Sequence, residues 1–253
     1  MECSKFDESL TSLFDKLDEQ GEQIAPTFAF IDPFGYSDTP FSVIERIMKN
    51  KRCEVLITFM SGFLNRFKSD PDKEGAFDLL FGTPKWREII FDSDSDETSE
   101  KKIVGFYQSR LESVAKYVRT FEMKNKFNQP IYHLIFATNS IDGLKKMNDS
   151  MWKIDEMSGF TFSDRTDPDQ TVLFKHEPDY EQLKKMILDE FKGKGVSIGK
   201  LEEFVAVKGF KTSHLRKPIL RPMEDVDPPE IKIVGRHRKK RGSYPKGTII
   251  RFL

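Results

Sequence analysis

The residues best equipped for chemistry are Asp32, Pro33, Phe34 and Gly35, which close the stretch FAFIDPFG. A carboxylate and a neighbouring backbone carbonyl at the end of a strand can accept hydrogen bonds from an exocyclic amine and orient its lone pair. A ring close by can stack on the flat base that carries the amine, and a base within a duplex must be flipped out to arrive there. Pro33 cannot continue a hydrogen-bonded ladder, and Gly35 lets the backbone turn sharply. The alternative for Asp32 is local: it caps the next helix or ties down a loop amide.

The flanking elements determine whether that turn is presented. Phe28, Ala29, Phe30 and Ile31 are uncharged and lack polar alternation, which predicts a strand buried on both faces of a parallel sheet. Asp32 then falls at its carboxyl end, where open α/β sheets hold ligands. TPFSVIERIMKN predicts a helix with Thr39 as N-cap and Pro40 at its first position, and CEVLITFM (residues 53–60) a second strand. Strand, helix, strand within so short a span predicts parallel pairing with a right-handed crossover. Upstream, Phe6, Leu10, Leu13, Phe14 and Leu17 mark an amphipathic helix over residues 6–20.

Residues 61–130 read as a helical insertion, with GFYQSRLESVAKYVRTFEMKN as one amphipathic helix. The acidic stretch FDSDSDETSE lacks the ligand order of a calcium loop and reads as a solvated loop. IYHLIFATNS (residues 131–140) predicts a third strand, with Asn139 and Ser140 as further candidates for the cleft. DGLKKMNDSMWKIDE predicts a helix whose Trp152 either covers a base or packs with Met147, Met151 and Ile154, and TVLFKHE (residues 171–177) a short fourth strand.

After Pro178 the character changes. DYEQLKKMILDEFKGKG and SIGKLEEFVAVKGF predict two helices, the second capped by Ser197. KTSHLRKPILRPMEDV predicts a third, or one broken at Pro218, and PEIKIVG and GTIIRFL two strands flanking RHRKKRGSYPK. Three helices and a two-stranded ribbon is the order of a winged helix, a relative of the helix-turn-helix. The expected organisation is therefore an α/β domain over residues 1–177 and a winged-helix-like domain over 178–253.

Charge divides along the same line. Residues 231–253 hold eight Lys or Arg and no acid, so a chain of zero formal net charge has an equal acidic excess elsewhere. Arg236, Arg238, Lys239, Lys240, Arg241 and Lys246 on a ribbon tip can straddle a phosphate backbone, with Tyr244 stacking or touching a sugar. The alternatives are a solvated wing or a clamp on the acidic first domain. Lys211, Thr212, Ser213, His214 and Arg216 would begin the recognition helix.

Other classes find no support. Cys3 and Cys53 have no metal-ligand spacing and predict a reduced, cytoplasmic protein. His133, His176, His214 and His237 have no spacing for zinc or a triad, so no metal is expected. No apolar run has the length of a membrane span, and MECSKFDESL has no apolar core of a signal peptide.

Taken together, FAFIDPFG, VLITFM, HLIFATNS, GLKKMNDSMWKID and RGSYPKGTIIRF resemble the three-Cys-motif partner proteins over nearly the full length. That family is similar to class I methyltransferases, which use S-adenosylmethionine, of the kind acting on adenine in RNA or DNA. In those enzymes an acidic or amide residue, two prolines and an aromatic follow the fourth strand; here Phe34 replaces the second proline. The resemblance implies a Rossmann-like sheet, S-adenosylmethionine as cofactor, a nucleic-acid substrate and a partner bearing a three-cysteine motif.

The sequence departs from that pattern in one respect. No glycine-rich turn follows a strand and no acid is placed to bind a ribose; GKGVSIG (residues 193–199) lies between two helices and reads as a loop. The resemblance thus implies only part of the methyltransferase domain, without its cofactor-binding half. Phe28–Ile31 then becomes an edge strand, expected to be covered by the N-terminal helix, another chain or an upstream segment. Two functions follow: a methyltransferase-like protein acting on a base amine, or a non-catalytic nucleic-acid- or partner-binding module on a methyltransferase-like scaffold.

Overall fold

The computed structural model describes residues 6–33, 39–90, 96–156, 159–163, 178–234 and 240–253. The strand expected over 171–177 lies outside them. Two compact units divide the chain: Met1–Gly143 with Thr161–Pro168, and Leu144–Phe160 with Asp169–Leu253.

The first unit is mixed α/β. Helix α1 (Phe6–Gln20) precedes β1 (Phe28–Ile31), α2 (Phe41–Lys49) and β2 (Glu54–Phe59). β1 and β2 are parallel, with Ile31 opposite Ile57, as a strand–helix–strand crossover requires. Helix α2 starts one residue later than expected. Pro40 keeps an extended ψ of 140° and occupies the N-cap position, and no side chain caps the helix, Thr39 included. Val43, Ile44, Ile47 and Met48 line its buried face, while Arg46 on α2 pairs with Asp15 and Asp18 of α1, both at 2.7 Å.

The insertion is not wholly helical. Helices α3 (Ser61–Phe67), α4 (Glu74–Phe81), α5 (Trp86–Ile90) and α6 (Asp96–Glu112) are followed by β3 (Tyr117–Lys124). The end of the acidic stretch thus opens α6, and residues 91–95 lie outside the description. The expected long helix stops before YVRTFEMK, where Tyr117, Arg119 and Phe121 are buried in alternation. Aromatic and β-branched residues at a period of two favour a strand over a helical stripe. Asn125 then accepts from the amides of Phe127 and Gln129, closing a turn into β4 (Pro130–Thr138).

The five strands run in the order β1-β2-β4-β3-β5, with β5 at Thr161–Ser163. β4 is antiparallel to both β2 and β3, and β5 is parallel to β3. Val55, Ile57, Phe59, Ile135 and Ala137 share a core with Phe41, Ile44 and Ile47 of α2 and Ile103, Tyr107 and Leu111 of α6. Each of the Val, Ile, Leu and Phe side chains among them contributes about 1.5–3 kcal/mol on burial. β1 is buried on one face only. Ile31 lies in the core, whereas Phe28 and Phe30 are 54% and 57% exposed. The cause is its position: among the described residues β1 pairs on one side alone, and α1 packs on α2.

The second unit contains α7 (Ile141–Ile154) from Leu144 onward, α8 (Tyr180–Phe191), β6 (Gly195–Ser197) and α9 (Ile198–Val207). The boundary near Pro178 is therefore incomplete: Asn148 donates to Ala206 O at 2.8 Å and Trp152 to Gly209 O at 2.7 Å, which fastens α7 to α9 and the turn after it. Trp152 is core rather than a base cover. Gly159 has φ +67°, and a Cβ there would lie 2.4 Å from the Trp152 ring, so no larger residue fits. Asp179 and Ser197 cap α8 and α9 through the amides of Gln182 and Lys200.

The glycine stretch is not all loop. Gly195–Ser197 pairs with β8 (Ile249–Phe252), which also pairs with β7 (Ile231–Val234), giving an antiparallel sheet in the order β6-β8-β7. Val196 buries its side chain against the core, which makes strand pairing more favourable than a loop. Helical structure continues from α10 (Ser213–Leu215) through a π segment (Arg216–Leu220) into α11 (Arg221–Asp225). Pro218 has no amide to give an i−4 carbonyl, and the chain widens there instead of breaking: Arg221 N bonds to Arg216 O.

His214 sits at the start of that run, edge-on to Trp152, Tyr180 and Phe210. Burial, with Lys211 adding to it and Asp149 opposing, pushes its pKa down to about 4. The unfolded chain, at an ordinary value near 6.5, binds the proton first. Stability of the second unit should therefore be complete above pH 6.5 and fall as pH drops from 6.5 toward 4. The His214 imidazole resonances should titrate near pH 4, and His214→Phe should flatten the acid side of the urea-midpoint profile.

Candidate functional site

Asp32 is exposed at the carboxyl end of β1 and makes no hydrogen bond or ion pair, while Pro33 is half-buried beside it. Phe34 and Gly35 lie outside the described residues. The capping alternative is not realised, since α2 has no side-chain cap. The carboxylate is thus held in place by the strand and left available to an external donor.

The reversed direction of β4 decides what shares this rim. Because Glu54 opposes Thr138, Asn139 and Ser140 lie at the other end of the sheet, not beside Asp32. There they are structural: Asn139 accepts from Lys116 N at 3.0 Å and donates to Met48 O, and Ser140 Oγ accepts from Gly143 N. Thr138 donates to Glu54 at 2.8 Å, and a Cβ on Gly143 would overlap that carboxylate.

At the Asp32 rim the sheet instead collects Phe59, opposite His133, and Glu122, also opposite His133. Ser61, fully buried at the start of α3, donates to Glu100 at 2.6 Å and lies 3.0 Å from His133 Nδ1. His133 Nε2 is 3.8 Å from Glu122, which pairs with Lys124 at 2.9 Å. Sequence spacing did not reveal this Ser–His–acid group, because its members come from α3, α6 and both arms of the β3–β4 hairpin.

Proton accounting shows what the group does. The Ser61 proton goes to Glu100, so the His133 contact requires a proton on Nδ1, and His133 cannot act as base toward Ser61. Burial lowers the His133 pKa, Glu122 and Glu100 oppose that shift, and Lys124 reinforces it. The neutral ring therefore bridges Ser61 and the hairpin, and the group fastens the rim rather than generating a nucleophile.

A cavity of about 110 Å³ opens beside it, lined by Pro33, Thr39, Ile57, Phe59, Leu80 and Tyr107, with the exposed Met60 and Phe63 at its margin. Its volume is on the scale of one six-membered ring. Tyr107 stacks on Phe59 at 4.3 Å, and its buried hydroxyl has no hydrogen-bond partner. Burial raises its pKa, so the group stays protonated.

In the second unit, Arg236, Arg238 and Lys239 lie outside the described residues. Tyr244 is 1% exposed and donates to Glu224 at 3.0 Å, so it is a core residue and neither stacks on a base nor touches a sugar. Arg241 is committed to Asp225 at 2.8 Å and to Glu224 O, and so fastens the wing to α11. Lys240 and Lys246 are exposed and unpaired. The expected recognition surface also changes: His214 is buried, and Arg216 bonds twice to Glu202.

The described residues do not fit S-adenosylmethionine. No strand among them ends in a glycine-rich turn, and the clustered glycines belong to β6 and its flanks. Among the described residues no cluster suits a metal ion, and no helix is long and apolar enough to cross a membrane. Comparison with protein families, curated proteins and solved structures finds no match.

Ser61→Ala should lower the stability of the first unit by about 1–3 kcal/mol in chemical denaturation, since it strands both Glu100 and His133. Tyr107→Phe should behave oppositely: removal of an unpaired buried hydroxyl leaves stability unchanged or raises it by about 1 kcal/mol.

Proposed function

We propose that this chain binds nucleic acid through its second unit and presents Asp32, on a methyltransferase-like sheet in its first, to the exocyclic amine of a base. The observation that carries this reading is the state of Asp32, which is exposed, unbonded and fixed at a parallel strand's carboxyl end. The parallel pairing of β1 with β2 supports this reading, since the fourth and fifth strands of a class I methyltransferase pair in the same way, and among the described residues the other edge of β1 pairs with no strand. The second unit supports the other half of the reading. From Tyr180 onward, α8, α9 and the helical run 213–225 with the antiparallel β7 and β8 follow the winged-helix order, and the basic run of residues 236–241 lies in the sequence between those two strands.

The mismatch with S-adenosylmethionine favours a second reading, in which the rim recognises an amine without transferring a methyl group. Both readings place the same demand on Asp32. A three-Cys-motif protein is the partner that the family resemblance implies, and the apolar edge of β1 offers it a surface.

The test needs no cofactor. Oligonucleotides carrying adenine, or purine without the 6-amino group, at one unpaired position are titrated by fluorescence anisotropy. The wild-type chain should prefer adenine by about tenfold, the worth of one hydrogen bond to a charged acceptor. Asp32→Ala should lose that preference while keeping its affinity for the purine oligonucleotide. Equal affinities in the wild type would remove the amine from the reading and leave nucleic-acid binding standing.

A further inference from the structure

Two sets of cations in the second unit differ in how they are paired, those on the helical run 213–225 and those on the ribbon. Those on the helical run are largely neutralised: Arg216 by Glu202, and Arg221 at 3.5 Å from Asp225, with Lys217 left free. On the ribbon Arg241 is likewise paired with Asp225, but the two cations within the strands are not. Lys232 on β7 lies directly opposite Arg251 on β8, both exposed and neither with a hydrogen bond or ion pair.

That placement has a physical cost. Like charges directly opposite on adjacent strands destabilise the pair, and strand pairing holds their Cβ atoms about 5 Å apart. The residue completing this row on β6 is Gly195, which brings no side chain and so no acid opposite Arg251. The next row is Ser197, Ile249 and Val234, so the outward face of the sheet carries two cations and no acid. Val196, Ile231, Ile250 and Phe252 fill the inward face, which fixes the direction of the outward row. A polyanion backbone relieves the repulsion, and Lys240, in the connection between β7 and β8, is a further exposed and unpaired cation.

We propose that the second unit seats a nucleic-acid phosphate backbone on the outward face of its three-stranded sheet, with Lys232 and Arg251 as the paired contacts, rather than on the helical run 213–225. This rests on the reading of the unit as nucleic-acid binding and replaces the surface that a helix-turn-helix relative would use.

The test measures the salt dependence of binding to one RNA duplex and one DNA duplex by anisotropy. Lys232→Ala and Arg251→Ala should each lower the slope of log K against log salt by about one, the loss of one phosphate contact. Lys217→Ala and Arg216→Ala should leave it unchanged. Thermal unfolding supplies a readout that a merely structural role would not share: Lys232→Ala should keep or raise the midpoint, because it relieves repulsion, while binding weakens. If the helix variants lower the slope and the sheet variants do not, the sheet proposal fails and the nucleic-acid reading survives. If the wild-type chain binds neither duplex at any salt, that reading fails as well.

Discussion

The direction of one strand governs the chemistry of the first unit. β4 runs against β2 and β3, so residues that follow it in sequence are carried to the end of the sheet remote from Asp32, and residues that precede it are brought near. That reversal moves Asn139 and Ser140 out of the candidate site and brings His133 and Glu122 into it. It also explains why the polar group at the rim is held so tightly. A hairpin arm supplies His133, the start of α3 supplies Ser61, and α6 supplies Glu100, so any movement of one element leaves a buried donor or acceptor unpaired. Asp32, by contrast, is bonded to nothing and rests on the strand alone. The rim thus joins a fixed support to an available carboxylate, the division of labour expected where a polar group must be oriented but not consumed.

Much of the fold was legible because local signals agreed with one another. The β1–α2–β2 unit, α1 and α8 were marked by period and length together, and the start of α9 by its Ser197 cap as well. The misses have physical causes. YVRTFEMK follows a genuine helical stripe without Gly or Pro between them, so the switch from a 3.6 to a 2.0 period is concealed inside one apolar run. Gly195–Ser197 is too short to show a pattern and becomes a strand only because β8 offers it a ladder. The exposure of Phe28 and Phe30 was unreadable from composition, since an apolar run looks the same at an edge as at a centre.

The candidate site was legible in type and less so in membership. The turn at Asp32 was visible because Pro33 and an apolar strand bracket it. The Ser61–His133–Glu100 group was not, because three residues on three separate elements leave no spacing to find. Tyr244 illustrates the opposite error. Set within a basic run it reads as a solvent-facing ring, yet Glu224 draws it inward: a carboxylate that is itself buried requires donors, and the Tyr244 hydroxyl is one of them.

Net charge in a segment says how many cations exist, not how many are available. The eight basic residues of 231–253 suggest a uniform polycation, but Arg241 is held by Asp225 and by Glu224 O and behaves as a fastener. An ion pair at a partly solvated surface gains little in stability, so the worth of this one lies in fixing the wing's position against α11. Lys232 and Arg251 differ because the ladder, not an acid, determines their separation. Backbone pairing holds two like charges together at a cost that neither side chain can relieve by moving along its strand. Strand pairing thus fixes the Cβ spacing of the two cations, while their stems leave the charged ends free to turn outward.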